Sequence, residues 1–487
     1  MVDFSAVARL HDFFAPARFD AEVYDCEVTG TIPADLNGAF YRMHGDWLYP
    51  PPFADEASLS ADGYISMFRI KDGSVDYRGR YVRTDRFEQQ RAARKQLYGY
   101  YRNPYTDDPS VQRIDEPGLR TSANTTPVVF NGKLYATKED GLPHEIDPNT
   151  LATIGIEDFG GRWRSQAFTA HPKVDPVTGE MIAYGYQASG LASKDVFLCT
   201  FGPDGEMKHE MHFEVPHTTM LHDIAITQNY VIIPGSGATT SLERLQAGKV
   251  HWGWDQTLDS YYAIVPRRGK AEDIRWFFSD GKSIVHTANA WEDGNKIVCD
   301  MPVADGNTWP FFPDIDETPF QMYDSTLRRV TFDLDSNSDR IVEDVVSDLD
   351  ITTFTRIDER FMTQPTRYIW VQYVDAAKPF RAGLPEDHRT RPTNSIARFD
   401  MSDRSKTSFF AGETHILQEP TFVPRKGSTA EGDGYLLATV HNLGAMRSEL
   451  VIVDAQSMAE IGRVILPFRN AYQVHGVWAD AGQLPLT

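Results

Sequence analysis

The sequence predicts an all-β fold: a seven-bladed β-propeller with loops and short helices inserted over one face. Three observations favour this class. Short β-forming runs recur along all 487 residues with turn sequences between them, helical periodicity is rare, and four histidines in similar local settings lie far apart in the chain. No WD or kelch signature occurs, so the propeller is inferred from strand density and the scattered histidines. Seven blades of roughly 60 to 70 residues would use the whole chain.

The predicted strands are short and rich in branched and aromatic residues. In chain order they include GAFYRM, YISMFRI, VDYRGRYVRT, PVVFNGKLYAT, MIAYGYQA, VFLCTF, YVIIPG, YYAIVP, KIVCDM, RRVTFDL, YIWVQYV, GYLLATV and ELVIVDA. Many are flanked or interrupted by NG, DG, DPNT or DPVTG, which are typical turn sequences. Strands joined by turns at such close intervals indicate antiparallel sheets.

Helical periodicity is clear only from Asp85 to Tyr98, with a second short candidate from Thr240 to Ala247. Two isolated helices cannot supply the regular strand–helix alternation of an α/β barrel or a doubly wound sheet. No low-complexity linker divides the chain, which favours a single domain over residues 1–487, with an N-terminal extension of about residues 1–26. The alternative architecture is a pair of β-sandwiches.

Charge and composition exclude several classes of partner. The chain carries 69 acidic and 48 basic residues, a net charge of −21, which repels nucleic acid and anionic membranes. Its three cysteines are too few and too scattered for a disulfide framework or a zinc knuckle. Neither a secretory signal nor an apolar run long enough to span a membrane is present. We therefore expect a cytoplasmic protein with no nucleic-acid partner and no membrane span.

Four histidines lie in β-forming, apolar or aromatic segments: His171 in FTAHPKVDP, His222 in TTMLHDIAIT, His286 in SIVHTANAWED and His475 in YQVHGVWAD. Successive members are 51, 64 and 189 residues apart, so no two share a helical turn as the histidines of a HExxH zinc helix do. Only a fold that gathers distant strands could bring them together. Neutral imidazoles bind iron, copper and zinc, and an all-histidine site leaves the metal accessible to small molecules such as O2.

These segments, together with GAFYRMHGD, NAWE, EPTFVPR and HGVW, resemble the carotenoid cleavage oxygenase family from about Val28 to His475. The resemblance implies a seven-bladed propeller whose axis holds one Fe(2+) per chain on His171, His222, His286 and His475. O2 would be the co-substrate.

The same resemblance implies residues that support the ligands. Glu139 in TKEDGLP and Glu419 in QEPTFVPR match carboxylates that orient the imidazoles. A third carboxylate is replaced, because relatives read EFPR where this chain reads TFTR, which leaves Thr353 in its place. We expect His286 to be the ligand affected. Thr125 matches a residue that hinders one coordination position of the iron.

Within the family, YRNPYTDDPSVQ, SANTTPVV and YATKEDGLP are similar to the lignostilbene dioxygenase branch. By this resemblance Tyr101 and Lys138 bind the phenol of a 4-hydroxystilbene, and about four extra residues within QRIDEPGLRTS leave Tyr105 as the alternative to Tyr101. Leu59 stands where relatives stack an aromatic residue on the substrate. A lysine desolvated in an aromatic cleft could accept the phenol proton or stabilise the phenolate.

The resulting hypothesis is an enzyme, an Fe(2+)-dependent dioxygenase. It would cleave the central C=C bond of 4-hydroxystilbenoids, such as those derived from lignin, into two aromatic aldehydes. One alternative is an apocarotenoid-cleaving member of the same family. The other is a propeller that serves as a binding scaffold and has no activity. Homodimerisation is a family-level expectation.

Overall fold

The strands of this computed structural model form seven antiparallel groups around a ring. The structure describes residues 2–5, 7, 10, 14–316, 320–321, 323–380 and 393–487. In chain order the strands up to residue 239 are β1 Ala21–Val23, β2 Glu27–Gly30, β3 Gly38–Asp46, β4 Asp62–Lys71, β5 Ser74–Tyr81, β6 Thr126–Phe130, β7 Lys133–Thr137, β8 His144–Ile146, β9 Thr153–Ile156, β10 Lys173–Val174, β11 Met181–Tyr186, β12 Asp195–Phe201, β13 Met207–Glu214, β14 Ala225–Ile226, β15 Tyr230–Gly235 and β16 Ala238–Thr239.

The remaining strands follow in the same order. They are β17 Gly253–Trp254, β18 Ser260–Pro266, β19 Arg275–Ser279, β20 Asn289–Asp293, β21 Lys296–Ala304, β22 Ser325–Asp333, β23 Val342–Val345, β24 Ile351–Arg356, β25 Tyr368–Tyr373, β26 Ser395–Asp400, β27 Ser405–Phe410, β28 His415–Leu417, β29 Thr421–Pro424, β30 Gly434–Asn442, β31 Arg447–Asp454, β32 Glu460–Ile465 and β33 Gly476–Asp480.

Strand pairing divides these elements into seven blades, apart from β16 and β17, which form a separate two-stranded sheet. Blade I is β6 to β9, blade II is β10 to β13, and blade III is β14, β15, β18 and β19. An eight-stranded sheet supplies blade IV, β20 to β23, and blade V, β24 to β27, which are joined only by the pair Ser325 and Ile351. Blade VI is β28 to β32 with β2, and blade VII is β33, β3, β4, β5 and β1. The prediction of an all-β, seven-bladed propeller is confirmed.

Segments from near both ends of the described chain close the ring. The early strand β2 pairs with β32 in blade VI, with Val28 opposite Val464, and the late strand β33 pairs with β3 in blade VII, with Phe40 opposite Trp478. First strands of different blades also contact each other, for example β14 with β20 and β6 with β33. They therefore lie on the inner side of the ring.

Burial along each strand follows its place in the blade. In β5 buried and more exposed positions alternate, as expected of a strand with one face on the core. The neighbouring β4 is buried at almost every position because both of its faces pack against other parts of the protein. An isolated helix or strand could not bury this much apolar surface; the packing of blade against blade does so.

Two α-helices interrupt the strands in the described residues, α1 Asp85–Ala93 and α2 Leu242–Gln246. The short 3-10 turns are Ser58–Ser60, Pro104–Thr106, Pro117–Arg120, Ala271–Asp273 and Glu359–Phe361. The side chain of Thr84 caps α1 by accepting the N–H of Phe87 at 3.1 Å. The predicted end of α1 at Tyr98 is wrong, because Arg94 adopts a left-handed conformation and terminates the helix. Arginine is not a residue that signals this cap in a sequence.

Part of the predicted N-terminal extension, about residues 1–26, is built into the ring as β1, which pairs with β5. Residues 1, 6, 8, 9 and 11–13 of that segment lie outside the described residues. None of the helices in the described part of the chain has the length and apolar character needed to cross a membrane.

Gly38, at the start of β3, allows the closing strand to approach closely. A Cβ added there would lie 2.3 Å from the carbonyl oxygen of Ala479 and 2.5 Å from Cζ2 of Trp478. We expect Gly38→Ala to lower the free energy of unfolding by about 1–3 kcal/mol, since β33 must shift to accept the methyl group. Urea denaturation measures the difference. Gly155→Ala is the matched control, because nothing lies within 4 Å of its added Cβ. Equal stability of the two variants would contradict this account of ring closure.

Candidate metal centre

Each of the four singled-out histidines lies just before the first strand of a blade. His171 precedes β10, His222 precedes β14, His286 precedes β20 and His475 precedes β33. These four strands are the inner strands of blades II, III, IV and VII. The segments that lead into them, each with its histidine, therefore meet in one region of the ring. The sequence places the first and last of these residues 304 positions apart, and the propeller brings all four together.

The four side chains form one buried cluster. One nitrogen from each ring lies within 4.8 Å of one nitrogen from every other ring. Nε2 of His171 lies 3.1 Å from Nε2 of His222. The ring of His171 is 4.6, 5.0 and 4.5 Å from those of His222, His286 and His475, and the planes are close to perpendicular. Each side chain is at most 8% exposed.

Burial and mutual proximity favour neutral imidazoles. Burial, reinforced by the other three histidines, holds the pKa of His171 well below its usual value. Burial likewise holds the pKa of His286 well below its usual value, and it lowers the pKa of His475 although Glu419 opposes it. Neutral imidazole is the form that binds metal.

Three of the rings have an oxygen partner on Nδ1. Glu139 accepts a hydrogen bond from Nδ1 of His222 at 2.6 Å, and both oxygens of Glu419 lie 3.2 Å from Nδ1 of His475. Thr353, on β24, places its Oγ1 3.0 Å from Nδ1 of His286. An oxygen acceptor at Nδ1 keeps the proton there and leaves Nε2 with its lone pair. Thr353 thus contacts His286, the histidine that the sequence predicts to lack a carboxylate partner.

Two arginines, the buried Arg42 and the partly exposed Arg356, anchor the His475 segment, and the sequence reasoning missed both. Arg356 donates to Oε2 of Glu419 at 2.9 Å and to the carbonyl of Gly476 at 3.2 Å. Arg42 donates to the backbone carbonyl of Glu419 at 2.9 Å and to that of Val474 at 3.3 Å. Burial alone would raise the pKa of Glu419, but Arg356 and His475 lower it to about 2. Arg356 lies in the TFTR motif that drew attention to Thr353, so the motif itself offered a signal.

The donor set fits a metal ion. Nε2 of His286 is buried without a hydrogen-bond partner, and the two Nε2 atoms that meet at 3.1 Å cannot hydrogen-bond each other when both rings carry their proton on Nδ1. Lone pairs that face one another at a common point are stabilised by a cation. An all-nitrogen site of neutral imidazoles suits a transition metal rather than Ca2+ or Mg2+, which prefer oxygen ligands.

Tyr101 and Lys138 lie next to each other and beside the histidine cluster, because Lys138 precedes Glu139 in the sequence and Tyr101 bonds to Glu139. The hydroxyl of Tyr101 donates to Oε1 of Glu139 at 2.8 Å, while the other oxygen of Glu139 holds His222. Nζ of Lys138 lies 4.9 Å from the centre of the Tyr101 ring. One carboxylate therefore connects the predicted phenol-binding tyrosine to a predicted metal ligand. Tyr105 instead lies half-buried in the turn Pro104–Thr106, where its N–H bonds to Asn103.

The ammonium group of Lys138 is buried and held by two acceptors. It donates to the carbonyl of Leu59 and to Oδ1 of Asn124, the latter at 2.7 Å. Burial lowers the pKa of Lys138 to about 8, although Asp140 and Glu139 oppose the shift. Lysine has three N–H donors, so one remains for a ligand oxygen. Thr125 belongs to the same group, because its hydroxyl donates to Oδ1 of Asn124 at 3.1 Å.

Aromatic side chains line the centre, and the sequence reasoning did not identify them. The ring of Trp309 is 5.8 Å from that of His222, and Phe354 stacks on His286 at 5.2 Å. Leu59 and Trp309 pack, partly buried, against the core cluster that contains Tyr101. An apolar lining with a few polar groups is typical of a pocket for a small organic molecule.

Comparisons with known proteins agree with this arrangement. The family profile described as retinal pigment epithelial membrane protein matches residues 14–480. The chain is 40% identical over 496 residues to lignostilbene-alpha,beta-dioxygenase isozyme III of Sphingomonas paucimobilis, covering 100% of both chains. It is 40% identical over 468 residues to isoeugenol monooxygenase of Pseudomonas nitroreducens, covering 95% of this chain and 96% of that protein. The crystal structure of Pseudomonas brassicacearum lignostilbene dioxygenase superposes with a TM-score of 0.93 at 35% identity, covering 99% of this chain and 100% of the other.

Proposed function

The chain belongs to the carotenoid cleavage oxygenase family, to which the matching profile and the lignostilbene dioxygenases correspond, and from this membership we propose that it cleaves hydroxylated stilbenoids. The reaction is the Fe(2+)-dependent cleavage of the central C=C bond by O2, and it yields two aromatic aldehydes. One observation carries the proposal. Tyr101 shares the carboxylate of Glu139 with His222, and the buried ammonium of Lys138 lies 4.9 Å from the centre of the Tyr101 ring.

We infer that His171, His222, His286 and His475 would hold one Fe(2+) per chain. Bound there, the iron would supply the site at which O2 is activated. Glu139, Glu419 and Thr353 keep protons on the Nδ1 atoms of three rings, so their Nε2 lone pairs are available. The two carboxylates also place negative charge close to the cation.

Lys138 and Tyr101 act on the phenol of the substrate. A neutral Lys138, whose two N–H groups bond to the carbonyl of Leu59 and to Oδ1 of Asn124, accepts the phenol O–H with its lone pair, and the ring of Tyr101 borders the same nitrogen. Transfer of the phenol proton to a neutral Lys138 leaves an ammonium beside a phenolate. Phenolate charge delocalises through the ring to the far alkene carbon, which makes the double bond electron-rich. Trp309 and Phe354 exclude water from the reacting bond.

Two alternative functions fit the site less well. An apocarotenoid-cleaving member of the family would share the fold and the histidines but would have no use for a buried lysine and tyrosine at a phenol. A non-catalytic scaffold would have no use for four buried imidazoles whose nitrogens converge. The relatives named for lignostilbene and isoeugenol, which are phenolic alkenes, further support the aromatic substrate.

The test compares 4-hydroxystilbene with 4-methoxystilbene after reconstitution of the protein with Fe(2+). We expect kcat/KM for the hydroxyl compound to be higher by about 100-fold or more, because the methoxy compound has no proton to give to Lys138. O2 uptake measures the rate, and mass spectrometry identifies the two aldehydes. A β-apocarotenal tested in parallel should be a poor substrate. Equal rates with the two stilbenes would argue for the apocarotenoid alternative, and absence of turnover with every compound for the scaffold.

A cytoplasmic location and a homodimeric state remain predictions. Size measurement in solution checks the second of them.

A further inference from the structure

Asp223 follows His222 directly and is only 2% exposed. Its Oδ1 forms an ion pair with Nζ of Lys173 at 2.7 Å and accepts the N–H of Ile224 at 2.8 Å. Its Oδ2 accepts the N–H of Thr287 at 2.8 Å and the hydroxyl of Thr287 at 3.0 Å. A single buried carboxylate is therefore bonded to three donors, and it shares a fourth, the hydroxyl proton of Thr287, with the carbonyl oxygen of Ile224, which lies 2.8 Å from that hydroxyl.

These four donors come from three of the four histidine segments. Lys173 is two residues after His171, Asp223 itself is next to His222, and Thr287 is next to His286. The segments lead into blades II, III and IV, which are otherwise separate sheets. The fourth segment, that of His475, is held differently, by Arg42 and Arg356. Asp223 is thus the shared anchor of the other three.

The negative charge of Asp223 also balances the positive charge of Lys173. The positive charge of Lys173 acts on both His171 and His286. Left unbalanced in a buried site, it would repel a divalent cation there, and buried charges interact more strongly than charges in water. Asp223 compensates that charge at 2.7 Å, so the lysine can tie two segments together without opposing the cation.

We propose that Asp223 is a positioning residue that sets the relative placement of His171, His222 and His286 and so determines how tightly the site binds metal. The inference rests on the proposed metal site. An amide cannot replace the carboxylate here, because Lys173 and the N–H groups of Ile224 and Thr287 can only donate, so an asparagine NH2 would face at least one donor in either orientation.

The test uses Co(2+), whose visible absorption reports coordination geometry, on the full-length metal-free protein. We expect Asp223→Asn to weaken Co(2+) binding by about 10- to 100-fold, the range found when groups that orient metal ligands are removed. The absorption spectrum of the bound ion should also change in position and intensity. Asp223→Glu, which keeps the charge, should recover part of the affinity. Lys173→Met removes one arm only and should give a smaller loss.

Asp46→Asn is the matched control. Asp46 is 1% exposed and accepts two backbone N–H groups and a tyrosine hydroxyl, but it bonds to none of the histidine segments. Both asparagine variants should lower the Tm of the metal-free protein, and only Asp223→Asn should alter the Co(2+) affinity and spectrum. Wild-type affinity and spectrum in Asp223→Asn would overturn the inference even if its Tm falls. Should Asp223→Asn fail to fold, an unchanged Co(2+) absorption spectrum in Lys173→Met overturns it, because loss of this arm must alter the placement of the histidines even where loss of the lysine charge offsets the change in affinity. Lack of Co(2+) binding by the wild-type protein would instead remove the proposed metal site itself.

Discussion

His222→Ala is expected to abolish iron binding and O2 consumption together. The substitution removes one of four converging nitrogens and also leaves Glu139 buried without its imidazole partner. Loss of a partner to a ligand already costs about 10- to 100-fold in metal affinity, so loss of the ligand itself should cost more than about 100-fold. Metal analysis of the purified protein and an oxygen electrode with 4-hydroxystilbene measure the two effects.

The matched control for this variant is His217→Ala. His217 lies five residues earlier in the same segment, is half-buried, and bonds through Nε2 to the carbonyl of Ser236 at 3.2 Å. We expect this variant to keep its iron and its activity. Retention of one iron per chain by His222→Ala would show that the cluster is not the metal site.

Lys138→Met is expected to lower turnover of 4-hydroxystilbene by about 100-fold or more while the iron content stays the same. Methionine keeps the length of the side chain but can neither donate to the phenol oxygen nor take its proton. Lys133→Met is the control, because Lys133 lies on the same segment but is 41% exposed and pairs with Glu145 and Glu157 at the surface. Unchanged turnover in Lys138→Met would remove the role proposed for this lysine.

The dependence of kcat/KM on pH should also show that Lys138 accepts the phenol proton. The productive complex, ammonium beside phenolate, contains one proton fewer than ammonium beside phenol. Because the pKa of Lys138 is about 8, kcat/KM should rise as the pH increases through about 8. In Lys138→Met the rise should move toward the pKa of a free phenol, about 10. A profile that is flat from pH 7 to 10 in the wild-type protein would contradict proton transfer to this lysine.

The fold class could be predicted because its signals are local. Period-two patterns and turn sequences mark individual strands, and the near absence of helical periodicity excludes the main alternatives. The end of α1 could not be predicted, since Arg94 gives no sign of the left-handed turn that stops the helix. The pairing of β2 with β32 and of β33 with β3 could not be predicted either, because contacts between remote segments leave no local pattern in the sequence.

The site was predictable in part for the same reason. The histidines and their partners lie in motifs that can be matched residue by residue, and the structure brings Thr353 to His286 and Tyr101 to Lys138. Contacts that depend on the packing of whole blades were not foreseen. The hydrogen bond from Arg42 to the carbonyl of Val474 joins residues more than 400 positions apart and has no sequence signature.

The place of His475 in front of the closing strand also has a consequence for biosynthesis. His475 leaves the ribosome 189 residues after His286, a delay of roughly 10 to 40 s at ordinary elongation rates. During that interval the nascent chain presents three imidazoles and an open ring. Pairing of β33 with β3 then seals the ring and delivers the fourth imidazole in one event. The four-histidine cluster therefore cannot be completed before β33 has been synthesised.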